Sequence, residues 1–334
     1  MTTRIEYGSN LLPQVLPESK RRLVITTPPI LEYVQARMCS VDATFELAPS
    51  MDERTLAAWE HALPDTDAVL GIGGGVCLDA AKYVAWRRSL PLWLAPSVVS
   101  VDACLTEAIA VRHEGRVRYI GEVYPEAVVV DYSLIQSAPT HLNRAGAGDI
   151  LSIHTALWDW QVAAQEKGER YDSAIADQSA RLLARLDEAA DEVRAVTEAG
   201  IRTLVELFAA EVALCRQAGN SRPEEGSEHF WAYNVEYRTR RHFAHGELVT
   251  LGALLMATLQ QNRAAALRTL VHRLGIRWRP EEIGISREEV IGALITARDY
   301  AASEQLPFSA VNARDISKEP ADQLVYEVCD SDKD

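Results

Sequence analysis

The sequence predicts an α/β domain with a parallel sheet, followed by an all-helical domain. Its 334 residues exceed what one hydrophobic core usually supports, so we expect two domains, residues 1–140 and 141–334. The first range alternates short apolar runs with helical patterns, whereas the second carries its apolar residues at helical spacing. Pro139 interrupts the pattern close to the boundary between them.

Five short runs that are apolar or rich in β-branched residues predict the strands of the first domain. Their hydrophobicity is continuous rather than alternating, which is typical of parallel strands that helices cover on both faces. Helical patterns lie between several of them, at Glu53–Ala62 and Leu78–Arg88. A turn at His113-Glu-Gly115 predicts a hairpin inserted over Ile109–Ile120. The predicted strands are Arg22–Thr27, Val41–Leu47, Asp67–Gly71, Pro91–Ala95 and Ala127–Asp131.

The second domain is predicted to consist of helices alone. Leu182, Leu186 and Ala189, for example, fall on one helical face. The predicted helices are Ile150–Ala164, Ala174–Thr197, Ile201–Gln217, Glu247–Asn262 and Arg287–Ser303.

Composition narrows the classes of partner. A net charge of −14 argues against binding of nucleic acids or anionic membranes. No uninterrupted apolar stretch reaches about 18 residues, so we expect no membrane insertion. The five cysteines are scattered and odd in number, which fits a reducing compartment better than a disulfide framework. These observations predict a cytoplasmic protein whose partner is a small molecule.

A glycine-rich segment, Gly71-Ile-Gly73-Gly74-Gly75, follows a predicted strand and precedes a predicted helix. Glycines there let the backbone approach a diphosphate, and the helix N-terminus offers N–H groups and a favourable dipole. The order differs from the plain G-x-G-x-x-G fingerprint, and alone it fits a tight turn equally well. With Asp79 and Lys82, the pattern Gly-Gly-Gly-x-x-x-Asp-x-x-Lys is far more specific.

A polar segment from Pro96 to Thr106 follows the next apolar strand. It contains Ser97, Ser100 and Asp102. On the residues alone it is either a site loop or a helix cap.

Three metal-binding side chains each stand in a distinctive short motif. Asp149 ends Arg-Ala-Gly-Ala-Gly-Asp, His229 ends Gly-Ser-Glu-His, and His245 opens His-Gly-Glu. One carboxylate and two imidazoles suit a divalent transition metal and leave coordination positions open for substrate. Zn²⁺, Ni²⁺ and Fe²⁺ all accept this donor set. An open metal site together with a dinucleotide pocket indicates hydride transfer at a metal-bound alcohol.

These motifs resemble the iron-containing (group III) alcohol dehydrogenase superfamily, in the branch of glycerol dehydrogenase and sn-glycerol-1-phosphate dehydrogenase. The likeness runs from Ile5-Glu-Tyr-Gly8 to about Ser303. It implies a dehydroquinate-synthase-like fold, with a Rossmann-like first domain that binds NAD or NADP, and a homo-oligomer. It further implies that Asp102 hydrogen-bonds a substrate hydroxyl, and that Asp149, His229 and His245 bind the metal. The implied dinucleotide contacts are Gly73, Gly74, Gly75, Asp79 and Lys82 at the diphosphate, and Ser97, Ser100 and Thr106 on the nicotinamide side.

Two further residues between and beside the ligands are candidates for supporting roles. His242 is a candidate catalytic proton relay, and Glu247 either orients His245 or faces solvent. The chain also departs from its branch at Tyr233, where a second histidine is usual. Gln305-Leu-Pro-Phe-Ser309 stands where a basic residue with Tyr-Thr helps to hold a phosphate.

A cluster of three arginines lies between the two ligand histidines. They either form a local phosphate pocket or are a solvated charge cluster or subunit contact. The three are Arg238, Arg240 and Arg241.

The sequence therefore predicts a metal- and NAD(P)-dependent oxidoreductase that interconverts a small polyol, or a polyol phosphate such as sn-glycerol 1-phosphate, and its ketone. The alternative is a dehydroquinate-synthase-like sugar-phosphate cyclase, which uses NAD catalytically. The residues after the first strand, Thr26-Thr27-Pro28-Pro29, do not choose between NAD and NADP.

Overall fold

A computed structural model describes residues 3–12, 14, 21–39, 41–314 and 316–330. Its residues cluster into two compact units, Met1–Asn143 and Arg144–Asp334. Within the described ranges, no helix combines the length and apolar composition needed to cross a bilayer.

The first unit is built on a six-stranded parallel sheet with a separate two-stranded hairpin. Its strands are β1 Arg4–Gly8, β2 Arg22–Thr26, β3 Ala43–Leu47, β4 Ala68–Gly73, β5 Leu92–Pro96, β6 Ala108–His113, β7 Arg116–Glu122 and β8 Ala127–Asp131. The sheet has the order β1-β8-β5-β4-β2-β3, and β6 pairs antiparallel with β7. The parallel sheet and the hairpin are confirmed. Strand β1 was not among the predicted strands.

Helices cover this sheet, which explains the continuous hydrophobicity of its strands. They are α1 Leu31–Arg37, α2 Glu53–Ala62, α3 Gly75–Arg88, α4 Tyr132–Gln136 and α5 Thr140–Ala145, with a 3₁₀ turn at Pro28–Ile30. Every residue of β4 and β8 is buried. Leu70 and Ile72 of β4 pack with Val24, Val34 and neighbouring side chains in one hydrophobic cluster.

The strand order reverses direction next to the glycine-rich segment. The chain runs from β2 outward to β3, then returns to place β4 on the other side of β2. In open parallel sheets, ligands bind beyond the carboxyl ends of the strands at such a reversal. The glycine-rich segment leaves β4 at this point.

The second unit is helical, as predicted. Its helices are α6 Ala147–Lys167, α7 Ser173–Glu188, α8 Ala190–Ala195, α9 Glu198–Ala218, α10 Ser227–Thr239, α11 His245–Gln260, α12 Ala264–Leu274, α13 Pro280–Ile283, α14 Arg287–Ile295, α15 Ala297–Ser303, α16 Ala310–Ala313 and α17 Lys318–Val325, followed by a π turn at Tyr326–Asp330. Helix α11 is buried on nearly all sides, which explains its almost uniformly apolar sequence.

Two segments that were each predicted as one helix form two helices in the structure. The segment predicted as Ala174–Thr197 breaks at Ala189, and the one predicted as Arg287–Ser303 breaks at Thr296. Both residues have ψ close to zero, at 7° and 2°, which departs from α-helical geometry. The apolar spacing continues across each break, so periodicity alone predicted one long helix.

Candidate functional site

The glycine-rich segment and the polar Ser97–Thr106 segment leave adjacent strands at the same edge of the sheet. Gly73 at the end of β4 is in register with Pro96 at the end of β5. The Ser97 N–H donates to the Gly73 carbonyl at 2.9 Å, so the two segments are joined where they begin. The parallel topology therefore brings together two predicted cofactor-binding segments that are separate in sequence.

The glycines of this segment serve different purposes. A Cβ on Gly73 would lie 2.5 Å from Cys77 Cβ, so the packing of α3 against β4 itself requires glycine there. A Cβ on Gly74 would have only Val98 Cγ1 nearby, at an ordinary 3.4 Å. The space over Gly74 is thus open at the N-terminus of the 14-residue helix α3. This fits a backbone cradle for a diphosphate.

Asp79 and Lys82 are not at the surface of this cradle. Lys82 is fully buried and Asp79 is 8% exposed. The Lys82 ammonium lies 2.7 Å from Asp79 Oδ1 and donates to the carbonyls of Thr106 and Ala108. Burial raises the pKa of Asp79, against the opposing effect of Lys82. Lys82 thus offers no accessible surface, and its predicted contact with a diphosphate stays a prediction.

The other predicted contacts of the first unit stay predictions. Ser97 is buried, whereas Ser100, Asp102 and Thr106 are partly exposed. The N–H groups of Leu105 and Thr106 donate to the Asp102 carbonyl, which forms a short turn there.

The second unit brings the three predicted metal ligands together. Asp149, His229 and His245 each offer a ligand atom, and these atoms all lie within 4.8 Å of one another. His245 Nε2 is 3.5 Å from Asp149 Oδ1, and the two imidazole centroids are 5.2 Å apart. The residues come from the first turns of three helices, α6, α10 and α11. The donor set and its spacing fit one divalent transition metal.

Glycines let two of these helices meet backbone to backbone. A Cβ on Gly148 would lie 2.1 Å from the Gly246 carbonyl oxygen. A Cβ on Gly246 would lie 1.8 Å from the Ala145 carbonyl oxygen. Each glycine is the immediate neighbour of a ligand, Asp149 or His245. The short motifs thus encode the close helix crossing as well as the ligands.

A buried carboxylate orients His229. Glu228 has no exposed surface, and its Oε1 lies 3.0 Å from His229 Nδ1. The same oxygen accepts from the Gly226 N–H at 2.6 Å, and Oε2 accepts from Thr155 Oγ1 at 2.6 Å. Because a carboxylate only accepts, His229 Nδ1 carries the proton and Nε2 is left for a metal. Glu228 is part of the Gly-Ser-Glu-His motif, but its contacts with His229 and Thr155 were not predicted from the sequence.

The cluster is electrostatically suited to a cation. Burial lowers the pKa of His229, but the hydrogen bond with Glu228 and the charges of Glu225 and Asp149 raise it to about 9. Tyr233, which replaces the usual histidine, packs its ring 5.9 Å from His229 and 6.4 Å from His245. Its hydroxyl donates to Glu225 Oε1 at 2.5 Å. A phenol and a carboxylate therefore flank the two imidazoles.

The two candidate supporting residues near His245 differ in their surroundings. Glu247 is buried and forms a bidentate ion pair with Arg277, at 2.8 and 3.0 Å. Its carboxylate therefore holds Arg277, and its predicted role toward His245 stays a prediction. His242 is 72% exposed, with Nδ1 3.7 Å from Glu236 Oε1. Its proposed relay role stays a prediction.

The arginine cluster is engaged by protein groups. Arg241 donates to Glu289 at 2.6 Å and to the Gly284 carbonyl at 2.9 Å. Arg238 donates to Thr296 Oγ1 at 3.3 Å. The Arg240 guanidinium lies 4.6 Å from the Tyr237 ring centroid. These contacts favour a structural surface cluster over a ready phosphate pocket.

A second buried carboxylate supports the turn that precedes His229. Asp159 Oδ2 accepts from the Ser227 N–H at 2.6 Å, and Oδ1 accepts from the Ala310 N–H at 2.6 Å. Burial and the charge of Glu228 raise the pKa of Asp159 to about 7, despite these N–H donors.

Comparison with known proteins agrees with the geometry. The iron-containing alcohol dehydrogenase family profile matches residues 25–139. A glycerol-1-phosphate dehydrogenase [NAD(P)+] from Hyperthermus butylicus is 34% identical over 69% of this chain and 66% of its own length. One from Staphylothermus marinus is 30% identical over 89% of this chain and 81% of its own length.

Solved structures show the same fold. A probable glycerol dehydrogenase from Sinorhizobium meliloti is 19% identical and superposes with a TM-score of 0.74. The superposition covers 98% of this chain and 96% of the Sinorhizobium meliloti chain. The predicted dehydrogenase fold is confirmed, and the relatives named here are dehydrogenases rather than cyclases. The chain therefore belongs to the iron-containing alcohol dehydrogenase family, in the branch of glycerol-1-phosphate and glycerol dehydrogenases, and is an oxidoreductase.

Proposed function

We propose that this protein is an NAD(P)-dependent dehydrogenase that interconverts dihydroxyacetone phosphate and sn-glycerol 1-phosphate. The convergence of Asp149, His229 and His245 within 4.8 Å carries the proposal, because these side chains are 80 and 16 residues apart along the chain (229 − 149 and 245 − 229). The names of the two glycerol-1-phosphate dehydrogenases support this substrate pair.

The first unit supplies the dinucleotide site. The diphosphate binds over Gly74, where the backbone is open, and against the N-terminus of α3. Ser100, Asp102 and Thr106 follow β5 on the adjoining segment and are partly exposed. Asp102 hydrogen-bonds a substrate hydroxyl, and Ser97, Ser100 and Thr106 flank the nicotinamide.

The second unit supplies the metal site. Asp149, His229 and His245 hold one divalent ion, which when bound acts as a Lewis acid toward the substrate oxygens. Glu228 fixes the ring and the tautomer of His229, while Thr155 and the Gly226 N–H hold Glu228 in turn. Tyr233 packs beside both imidazoles and limits their access to water. This pre-organised arrangement needs little rearrangement when metal binds.

A second candidate substrate pair is glycerol and dihydroxyacetone, without phosphate. Two observations favour it. Arg238 and Arg241 are held by protein groups, and Glu225 and Glu228 place negative charge beside His229. Such surroundings do not attract a phosphate dianion.

Reduction of the two ketones by metal-reconstituted protein distinguishes these functions. The rates of NADH and NADPH oxidation are compared with dihydroxyacetone phosphate and with dihydroxyacetone, for Zn²⁺, Ni²⁺ and Fe²⁺. A higher kcat/KM for the phosphate supports the glycerol-1-phosphate reaction. A higher value for the free ketone supports the glycerol reaction. Turnover of neither, by protein that binds metal and dinucleotide, contradicts both.

The assembly and the location of the protein are also part of this proposal. We expect a homo-oligomer in the cytoplasm, on the family likeness and on the five cysteines, all of which are free thiols. Sedimentation of the purified protein tests the assembly, and a monomer would contradict it.

A further inference from the structure

The hairpin strand β6 has a second edge that α3 closes with side chains. Along β6, the backbone groups of alternate residues point toward β7, and those of the residues between them point away from it. The residues that point away include Ala108, Ala110 and Arg112. On that outer edge, the carbonyls of Thr106 and Ala108 accept from Lys82, and the Ala110 N–H donates to Asp79. The next outward N–H, that of Arg112, donates to the Met51 carbonyl at 2.8 Å. Lys82 and Asp79 therefore act on β6 as a neighbouring strand would.

The Lys82 ammonium is engaged by protein groups within this unit. Nζ donates to Ala108 O at 2.5 Å and to Thr106 O at 3.3 Å, and it forms an ion pair with Asp79 Oδ1 at 2.7 Å. The side chain is fully buried. No accessible surface is left for a phosphate oxygen.

Strand β4 and the helix α3 that follows it hold both ends of the Ser97–Thr106 segment. At its start, the Ser97 N–H donates to the Gly73 carbonyl of the glycine-rich segment. At its end, Lys82 of α3 holds the Thr106 carbonyl. Between them, the Val99 N–H donates to Asn143 Oδ1 at 3.0 Å.

We propose that Lys82, with Asp79, is a positioning residue that fixes the Ser97–Thr106 segment, and that it is not a dinucleotide ligand. The kinetic consequence rests on the proposed function, in which Asp102 contacts substrate. Without the Lys82 hydrogen bond to Thr106, Asp102 is no longer held in position. A misplaced substrate contact of this kind lowers the rate of turnover far more than it lowers the affinity for the cofactor. If Lys82 instead contacted the diphosphate, its replacement would lower the affinity for the cofactor at least as much as turnover.

The test replaces the ion pair by apolar side chains, in Asp79→Leu/Lys82→Met, because removing only one partner would leave a buried charge. Arg87→Met, an exposed charge removed from the same helix, is the matched control. Asp79→Asn/Lys82→Gln, which also removes both charges but keeps polar side chains, is a second variant in case the apolar pair does not fold. Binding of ADP-ribose, steady-state kinetics and hydrogen exchange of residues 97–110 are measured for each.

We expect ADP-ribose affinity within about twofold of wild type, and kcat/KM for the preferred ketone at least about tenfold lower. Hydrogen exchange should accelerate over residues 97–110, most at Ala110, and Arg87→Met should change nothing. For Asp79→Asn/Lys82→Gln the same changes should be smaller and in the same direction. A fall in ADP-ribose affinity as large as the fall in kcat/KM would overturn the proposal, as would unchanged exchange. If wild type reduces neither ketone, the proposed function fails, while ADP-ribose binding and exchange still decide the role of Lys82.

Discussion

Glu228 Oε1 lies 3.0 Å from Nδ1 of His229, so a fully buried carboxylate fixes the central imidazole of the candidate metal site. The carboxylate is itself held by Thr155 and by the Gly226 N–H. A hydrogen-bonded partner of this kind raises the basicity of a ligand and sets the geometry of the ring.

Replacing Glu228 by glutamine should therefore weaken metal binding about 10–100-fold, because the amide no longer offers two acceptors and carries no charge. Competition with a chromogenic Zn²⁺ chelator measures the affinity. Glu166→Gln, an exposed change on α6, should leave it unchanged. Equal affinity in Glu228→Gln and wild type would show that Glu228 has no influence on the metal.

Replacing His245 by alanine should abolish metal binding and turnover but leave dinucleotide affinity within about twofold. The fold should persist, because the His245 side chain is 32% exposed. His242→Ala is the companion variant: it should keep the metal, and a lower kcat would support its relay role. Undiminished activity of His245→Ala would refute the ligand assignment.

Replacing Gly74 by alanine should weaken ADP-ribose binding by about tenfold or more, because the new methyl group occupies the open cradle. Stability should fall by less than about 1 kcal/mol, since alanine caps a helix slightly worse than glycine. The protein itself tolerates the methyl group, whose nearest neighbour is Val98 Cγ1 at 3.4 Å. Titration calorimetry with ADP-ribose checks this, and an unchanged affinity would place the diphosphate elsewhere.

Asp159 should make the protein less stable as the pH rises toward neutrality. Its pKa is raised from 3.8 to about 7, so the folded state keeps a proton that the unfolded state loses. Protonation of Asp159 contributes up to about 4 kcal/mol to the free energy of unfolding. This contribution is fully present below about pH 4 and is lost as the pH rises to about 7. Urea unfolding of metal-free protein between about pH 5 and about pH 8 measures the slope.

The control for this slope is Asp159→Asn. That variant should be less stable at every pH, because its amide nitrogen must face an N–H donor from Ser227 or Ala310. Its stability should nevertheless depend less steeply on pH. A slope identical to that of wild type would assign the titration to another group.

Replacing Arg241 by alanine should leave the KM for dihydroxyacetone phosphate within about twofold of wild type, because Arg241 is occupied by Glu289 and Gly284. The loss of stability should be about 0–1 kcal/mol, as for other exposed ion pairs. Steady-state kinetics and thermal unfolding check both values. A KM raised by more than about tenfold would restore the arginine cluster as a phosphate pocket.

Much of the candidate site was predictable because its residues lie in compact motifs. The Gly-x-Gly-Asp149 and His245-Gly motifs place small residues beside ligands, and both features are readable locally. Glu228 precedes His229 in the chain, yet nothing in the sequence tells which way its carboxylate turns. The pairing of Glu247 with Arg277 was likewise not predictable, since the partners are 30 residues apart.

By itself, the sequence determined the order of an α/β unit and a helical unit, the position of the glycine-rich segment after β4, and the choice of three candidate metal ligands. These features depend on hydrophobic periodicity and on residue chemistry, which are local properties. Only the tertiary structure decided that Lys82 is buried and donates to carbonyls at β6. It also decided that α6, α10 and α11 bring the three candidate ligands close together. The reason is physical: burial and contact depend on neighbours distant in the chain, and Lys82 reaches carbonyls 24 and 26 residues away.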